Sequence, residues 1–245
     1  MTPTPVGMRC PECAGQRTQV RSGPQAFGGT NAPATFVLIG LNVLAFLAEI
    51  AGGSGGLTTA GGSVVIDFGL QGFGVADGEW YRIVTGAFLH AGLLHIGFNM
   101  FLLFILGRML EPALGTPRFV FLYFASLLAG SFGALALTDP LQITVGASGA
   151  VFGVLGATVL IARDRGFNEI AGQLGFLLII NLAFTFGASN ISVGGHLGGL
   201  VGGVICALLI VAGERGMLGR NRYPIELLGM AVVGAVSVFG ALAVA

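Results

Sequence analysis

Seven apolar stretches, each near the length of a bilayer crossing, fill most of this 245-residue chain. They lie near 34–51, 93–110, 118–137, 147–162, 171–188, 194–212 and 225–244. A helix needs about 20 predominantly apolar residues to cross the hydrocarbon core. Lipid offers no partner to a backbone N–H or C=O, so each stretch must satisfy its own peptide groups as an α-helix. Charged residues make up 9% of the chain, against about 25% in soluble domains. Such a chain has too little polar surface for water. The expected fold is an all-α polytopic membrane protein. The fourth stretch is short for a full span, which predicts that it starts below the outer surface with the preceding loop dipping in. Irregular backbone at that depth is tolerated only against protein or a water-filled cavity.

The polar remainder narrows the partners. Net charge is +0, which argues against a nucleic-acid partner; the lipid bilayer is the expected surrounding. Of three cysteines only Cys10 and Cys13 lie close in sequence, so no disulfide framework is implied. Cys10-Pro11-Glu12-Cys13 looks like half of a zinc ribbon. A closed structural site takes four ligands, and Cys206 lies inside the sixth span. No metal and no cofactor are expected on this count. Residues 1–33 are polar and rich in Pro and Gly, and no cleavable signal peptide is read there.

Orientation follows from arginine alone, since the chain has no lysine. With the N-terminus inside, Arg9, Arg17, Arg21, Arg108, Arg118, Arg163, Arg165, Arg215, Arg220 and Arg222 all fall on the cytoplasmic side. Arg82 is the exception. It belongs to a long outer connection, residues 52–92, that opens on Gly52-Gly53-Ser54-Gly55-Gly56 and closes on Trp80-Tyr81-Arg82. A simple link would be shorter. The connection reads either as a membrane-hugging lid or as an interfacial anchor carried by Trp80 and Tyr81.

In this topology the second, fourth and sixth spans run from outside to inside. His95 and Asn99 begin the second, Ser148 begins the fourth and His196 begins the sixth. All four are expected at similar depth near the outer face. Gly149, Gly153 and Ala157 form a small-residue row on the fourth span. Gly195, Gly199 and Gly203 form one row on the sixth, and Gly194, Gly198 and Gly202 form the next. Small residues at every fourth position let helix backbones approach closely in lipid, which brings Ser148 and His196 together.

A serine hydroxyl is a poor nucleophile until a base takes its proton. A neutral imidazole does so and returns the proton to the leaving amine. His196 is the expected base. No aspartate or glutamate is expected at comparable depth, so the reading is a dyad without a carboxylate. The Ser148 N–H, at a helix N-terminus, is a candidate oxyanion donor. His95 and Asn99, four apart on one helix face, offer side-chain donors; interhelical glue is the alternative for either alone. His90 is expected to brace the outer loop. Phe152, one turn after Ser148, is placed to pack against His196. Asn181, Ser126 and Ser131 read as packing residues.

Together these residues resemble the rhomboid family of intramembrane serine proteases. The matching pieces are Trp80-Tyr81-Arg82, His90, His95-Ile-Gly-Phe-Asn99, Gly146-Ala147-Ser148-Gly149 and Gly195-His196-Leu197-Gly198-Gly199 with Gly203. GxSG alone is weak; with HxxxN and a membrane histidine leading a glycine stripe, in this order, it is strong. The resemblance covers residues 34–212 and implies a rhomboid-like six-helix core. It leaves 1–33 as a cytoplasmic tail and 213–245 as a linker and seventh transmembrane helix. It implies Ser148 as nucleophile, His196 as base, and His95, Asn99 and the Ser148 N–H as oxyanion hole. Gly146, Gly149, Gly199, His90, Phe152 and Arg82 would support the site. Substrates would be transmembrane proteins with helix-breaking small residues near the scissile bond, admitted laterally past the fifth span and a cap loop. The cell membrane is the implied location. Many relatives carry tyrosine where this chain has Phe152, and stacking survives that change.

Three rivals remain on the sequence. A non-catalytic relative that binds membrane clients would lack the serine or the histidine, and both are present. A metal-dependent protease or metal transporter would need carboxylates or an HExxH pair, and His90 and His95 are five apart with no glutamate between. A small-molecule transporter would show inverted repeats, and none is clear. The oligomeric state is left open.

Overall fold

The computed structural model describes residues 2–4, 7–9, 31–53, 61–188 and 191–245. Cys10 and Cys13 lie outside the described residues. Near the N-terminus, β1 (Thr2–Thr4) pairs antiparallel with β2 (Gly7–Arg9). The other elements among the described residues are helical: α1 (Pro33–Ala51), three short helices α2 (Gly62–Phe68), α3 (Gly72–Ala76) and α4 (Arg82–Thr85), a 3-10 turn at Gly86–Phe88, then α5 (Leu93–Leu114), α6 (Thr116–Leu137), α7 (Ser148–Asp164), α8 (Asn168–Gly187), α9 (Val193–Glu214) and α10 (Arg222–Val244).

Six of these, α1, α5, α6, α8, α9 and α10, are long and apolar enough to cross a membrane. The seventh, α7, has 17 residues against 22 in α5, α6 and α9. At 1.5 Å per residue it reaches about 25 Å where they reach about 33 Å. The fourth stretch is therefore a short helix, as expected, and the six long apolar helices make the chain a multi-pass membrane protein. Phe36, Leu44, Phe101, Ile179 and Phe239 point outward, as a lipid-facing surface requires.

The glycine rows set the packing around α9. A Cβ on Gly199 would lie 2.8 Å from the Gly149 Cα, and one on Gly203 would strike the Gly153 backbone, both on α7. The neighbouring row turns to α6: Cβ atoms on Gly194 and Gly198 would strike the carbonyls of Gly133 and Ala129. Each row serves a different neighbour, so α9 is wedged between α6 and α7 at backbone contact. No side chain with a Cβ fits those crossings.

Polar anchors tie the helix ends. Glu111 on α5 accepts from the Ala34 N–H (3.0 Å), the Thr35 N–H (2.8 Å), the Thr35 hydroxyl (2.7 Å) and the Thr116 hydroxyl (2.8 Å). It thereby caps the first turn of α1, whose own N-cap residue supplies no side-chain bond. The last span docks through a buried pair, Arg118 Nε to Glu226 at 2.5 Å, with the Arg118 guanidinium over the Tyr223 ring at 4.7 Å.

Arg82 explains why one arginine stands apart from the rest. Its Nη1 donates to the carbonyls of Ile66 (2.7 Å) and Gly69 (2.9 Å), and its Nε donates to Glu79 at 2.6 Å. One guanidinium thus closes the end of α2 onto α4. Truncation would strand two carbonyls, at a cost of about 3 kcal/mol on the scale of hydrogen bonds to charged groups. Arg82→Ala is expected to lower the melting temperature while the folded fraction keeps its turnover; a stable but inactive variant would contradict this structural role.

Candidate active site

The N-terminal ends of α5, α7 and α9 meet at one end of the bundle, around a cavity of about 630 Å³ whose lining includes His95, Asn99, Gly146, Ser148, Asn181 and His196. Ser148 is the first residue of α7 and His196 the fourth of α9. The backbone contact between those helices brings the Ser148 Oγ to 2.8 Å from His196 Nε2. Phe152, one turn on, lies flat against the imidazole with ring centroids 4.0 Å apart and planes 19° apart. The ring is thus held on one face by Phe152 and along its edge by two hydrogen bonds.

The second bond is one that the sequence reading missed. His196 Nδ1 lies 2.7 Å from the hydroxyl of Thr185 on α8, and that hydroxyl lies 2.8 Å from the Asn181 carbonyl. A threonine four residues after an asparagine in an apolar span was the available signal. Asn181 also lines the cavity, beyond the packing role expected of it.

His95 is oriented as a donor. Its Nδ1 accepts from the Ala91 N–H at 3.2 Å, so the ring proton sits on Nε2. That Nε2 faces Gly146, where an added Cβ would come within 3.0 Å of it and 3.6 Å of the Ser148 Oγ. Gly146 also has φ +135°, a region that a side chain disfavours. A glycine is required there twice over, by backbone and by space. Asn99 spends one amide proton on the His95 carbonyl at 2.9 Å, and its NH₂ has a second.

His90 stands behind this group. Its ring packs edge-on against His95 at 5.1 Å, and its Nδ1 lies 3.2 Å from the Phe88 carbonyl. Burial, reinforced by the neighbouring His95, pushes its pKa down to about 3, so the ring is uncharged. Its backbone N–H donates to Glu49 on α1 at 3.0 Å. This corrects the expectation that no carboxylate lies at this depth: Glu49, two residues from the end of α1, is there. It faces His90 rather than His196, whose Nδ1 is taken by Thr185. Ser126 and Ser131 bond backbone carbonyls, of Leu122 at 2.8 Å and of Ile83 at 2.7 Å.

A loop at 138–147 closes the cavity on the side of the long connection. Leu70 and Thr144 exchange backbone bonds of 3.0 and 2.8 Å, and the Gly146 N–H donates to Gly86 at 3.0 Å. The short α7 leaves room for this loop between its taller neighbours.

A multi-pass helical membrane protein with a hydrogen-bonded serine–histidine pair facing a cavity between its spans is the class that fold and site define. A family model of the Rhomboid domain matches residues 77–213, more than half of the chain. Rhomboid protease GluP of Bacillus subtilis (strain 168) is 35% identical over 205 residues, covering 82% of this chain and 39% of that protein. Putative rhomboid protease YdcA of the same organism is 42% identical over 144 residues, covering 56% of this chain and 71% of that protein. RHOMBOID-like protein 5 of Arabidopsis thaliana is 34% identical over 143 residues, covering 56% and 46%. The chain thus spans about two fifths of the length of GluP. It belongs to the rhomboid family.

Proposed function

We propose that this protein is an intramembrane serine endopeptidase that cleaves membrane proteins within or beside their transmembrane segments. The observation that carries this reading is the 2.8 Å contact between the Ser148 Oγ and His196 Nε2 in a cavity between the spans. In the reaction His196 takes the Ser148 proton on Nε2 as Oγ bonds to the scissile carbonyl carbon. The carbonyl oxygen, now anionic, takes hydrogen bonds from the Ser148 N–H, from His95 Nε2 and from the free amide proton of Asn99. His196 then passes its proton to the departing amine, and the C–N bond breaks. Water, deprotonated by the same nitrogen, hydrolyses the acyl-enzyme and restores Ser148.

Residues 34–212 form the protease core in this account, in the cell membrane, with the N-terminus cytoplasmic and the site opening toward the outer face. The arginine distribution supports that orientation. Access is lateral in this reading: the cavity lining includes Phe98 of α5 and Phe184 of α8, which are 52% and 67% exposed.

The testing experiment reconstitutes the protein in liposomes with a peptide whose transmembrane segment carries a Gly/Ala-rich stretch. Cleavage by the wild type and none by Ser148→Ala is expected; equal cleavage by both refutes the reading, and loss with EDTA moves it to metal chemistry. Asn99→Ala is expected to lower turnover by roughly 10–1000-fold, the scale of one oxyanion donor. An unchanged rate removes Asn99 from that role. The specific rival is a client-binding relative without catalysis, which predicts peptide binding without cleavage.

A further inference from the structure

We propose that Thr185 is a positioning residue for the base: its hydroxyl holds His196 in the tautomer whose bare nitrogen faces Ser148, filling the place that a carboxylate takes in a catalytic triad. This rests on the serine–histidine reading above.

The proton count carries the argument. A threonine hydroxyl has one proton and two lone pairs. The Thr185 Oγ1 lies 2.8 Å from the Asn181 carbonyl, which only accepts, and 2.7 Å from His196 Nδ1. With its proton on the carbonyl, the hydroxyl offers Nδ1 a lone pair, so Nδ1 carries the imidazole proton. A neutral imidazole has one N–H, which leaves Nε2 bare at 2.8 Å from the Ser148 hydroxyl. When Nε2 takes the serine proton, Nδ1–H points at an oxygen already polarised by the Asn181 carbonyl. No proton passes to Thr185 at any step.

The helix itself singles out this residue. α8 is the least buried of the six long spans. It buries Ala171, Leu174 and Thr185. The first two lie near its start; Thr185 alone is buried at the cavity end, 1% exposed between the exposed Phe184 and Phe186. Apolar packing does not account for a hydroxyl there, and the bond to His196 does. The orientation of the base therefore depends on how the cavity end of α8 is seated.

The test compares wild type, Thr185→Val and Thr185→Ser in liposomes, with kcat and KM measured on the transmembrane peptide and melting temperatures measured alongside. The tautomer of His196 is read from ¹⁵N chemical shifts of histidine-labelled wild type, assigned with His196→Ala. We expect the wild type to carry its proton on Nδ1. Thr185→Val should lose about 10–100-fold in kcat, the scale of one hydrogen bond to a charged group, with KM little changed. Thr185→Ser should recover most of that loss. A proton on Nε2 in the wild type, or a Thr185→Val variant that melts lower yet keeps its kcat, overturns the proposal. If Thr185→Val fails to fold, the wild-type tautomer and the activity of Thr185→Ser decide it. Wild-type cleavage that survives Ser148→Ala would instead overturn the dyad itself, so the two failures are distinct.

Discussion

The double variant Ser148→Ala/His196→Ala is expected to cleave no more slowly than either single variant, each of which falls by about 10⁴–10⁶-fold in kcat with its fold intact. Groups that act as one unit are strongly non-additive, because removing either leaves the other without a task. Here the unit is a single hydrogen bond, Ser148 Oγ to His196 Nε2 at 2.8 Å. Without the imidazole, the serine keeps a proton that nothing nearby will accept. Without the serine, the imidazole has no nucleophile to activate. Residual cleavage in the singles would come from the oxyanion donors alone, and the double variant keeps those. The check is single-turnover kinetics on all four proteins, with melting temperatures to show that they are folded. Losses that multiply in the double variant would mean that the two residues act in separate steps.

The second large effect concerns packing. Gly199→Val is expected to abolish both stability and activity, where most surface changes on the same helix would do neither. A Cβ on Gly199 meets the Gly149 carbonyl carbon at 2.5 Å and its Cα at 2.8 Å. These are backbone atoms, so no rotamer change relieves the clash. Relief requires α7 and α9 to separate by more than an ångström. Overpacking typically costs about 1–3 kcal/mol and occasionally more, and a backbone crossing has none of the compliance that softens it elsewhere. The same separation lengthens the Ser148–His196 bond, because both residues ride on these helices. Val201→Ala, on the exposed face of α9, is the control. Thermal unfolding in detergent and turnover decide the matter; a Gly199→Val protein with wild-type melting and turnover would break the link between the glycine row and the site.

Much of this architecture was legible because membranes simplify the problem. Each span announces itself by length and hydrophobicity, and the helix bounds fall within a few residues of the stretches read from the sequence. The glycine rows were legible because small residues at fourfold spacing mean close approach in lipid. Two rows on one helix imply two neighbours, although which neighbour takes which row is a matter of tertiary packing. Gly146 was readable as part of a motif, but its need for φ +135° and for an empty Cβ position beside His95 was not.

What escaped the reading are contacts between residues far apart in sequence. Glu111 and Thr35 are 76 positions apart, and Arg82 Nη1 reaches the backbone carbonyls of Ile66 and Gly69. Backbone partners leave no trace in composition. Glu49 was missed because an acid near the end of a span looks like an interfacial residue, until His90 is placed beside it. Thr185 was missed for a similar reason. A threonine in an apolar helix ordinarily bonds its own i−4 carbonyl, as it does here, and nothing local shows that a histidine stands on its other side.

The most direct test of the central claim is labelling by a fluorescent fluorophosphonate of the purified protein in mild detergent, beside Ser148→Ala and His196→Ala. An activated serine attacks phosphorus and keeps the label; an ordinary hydroxyl does not. The account predicts a labelled wild type and two unlabelled variants. Labelling that persists in folded Ser148→Ala would contradict it, as would the absence of label from folded wild type.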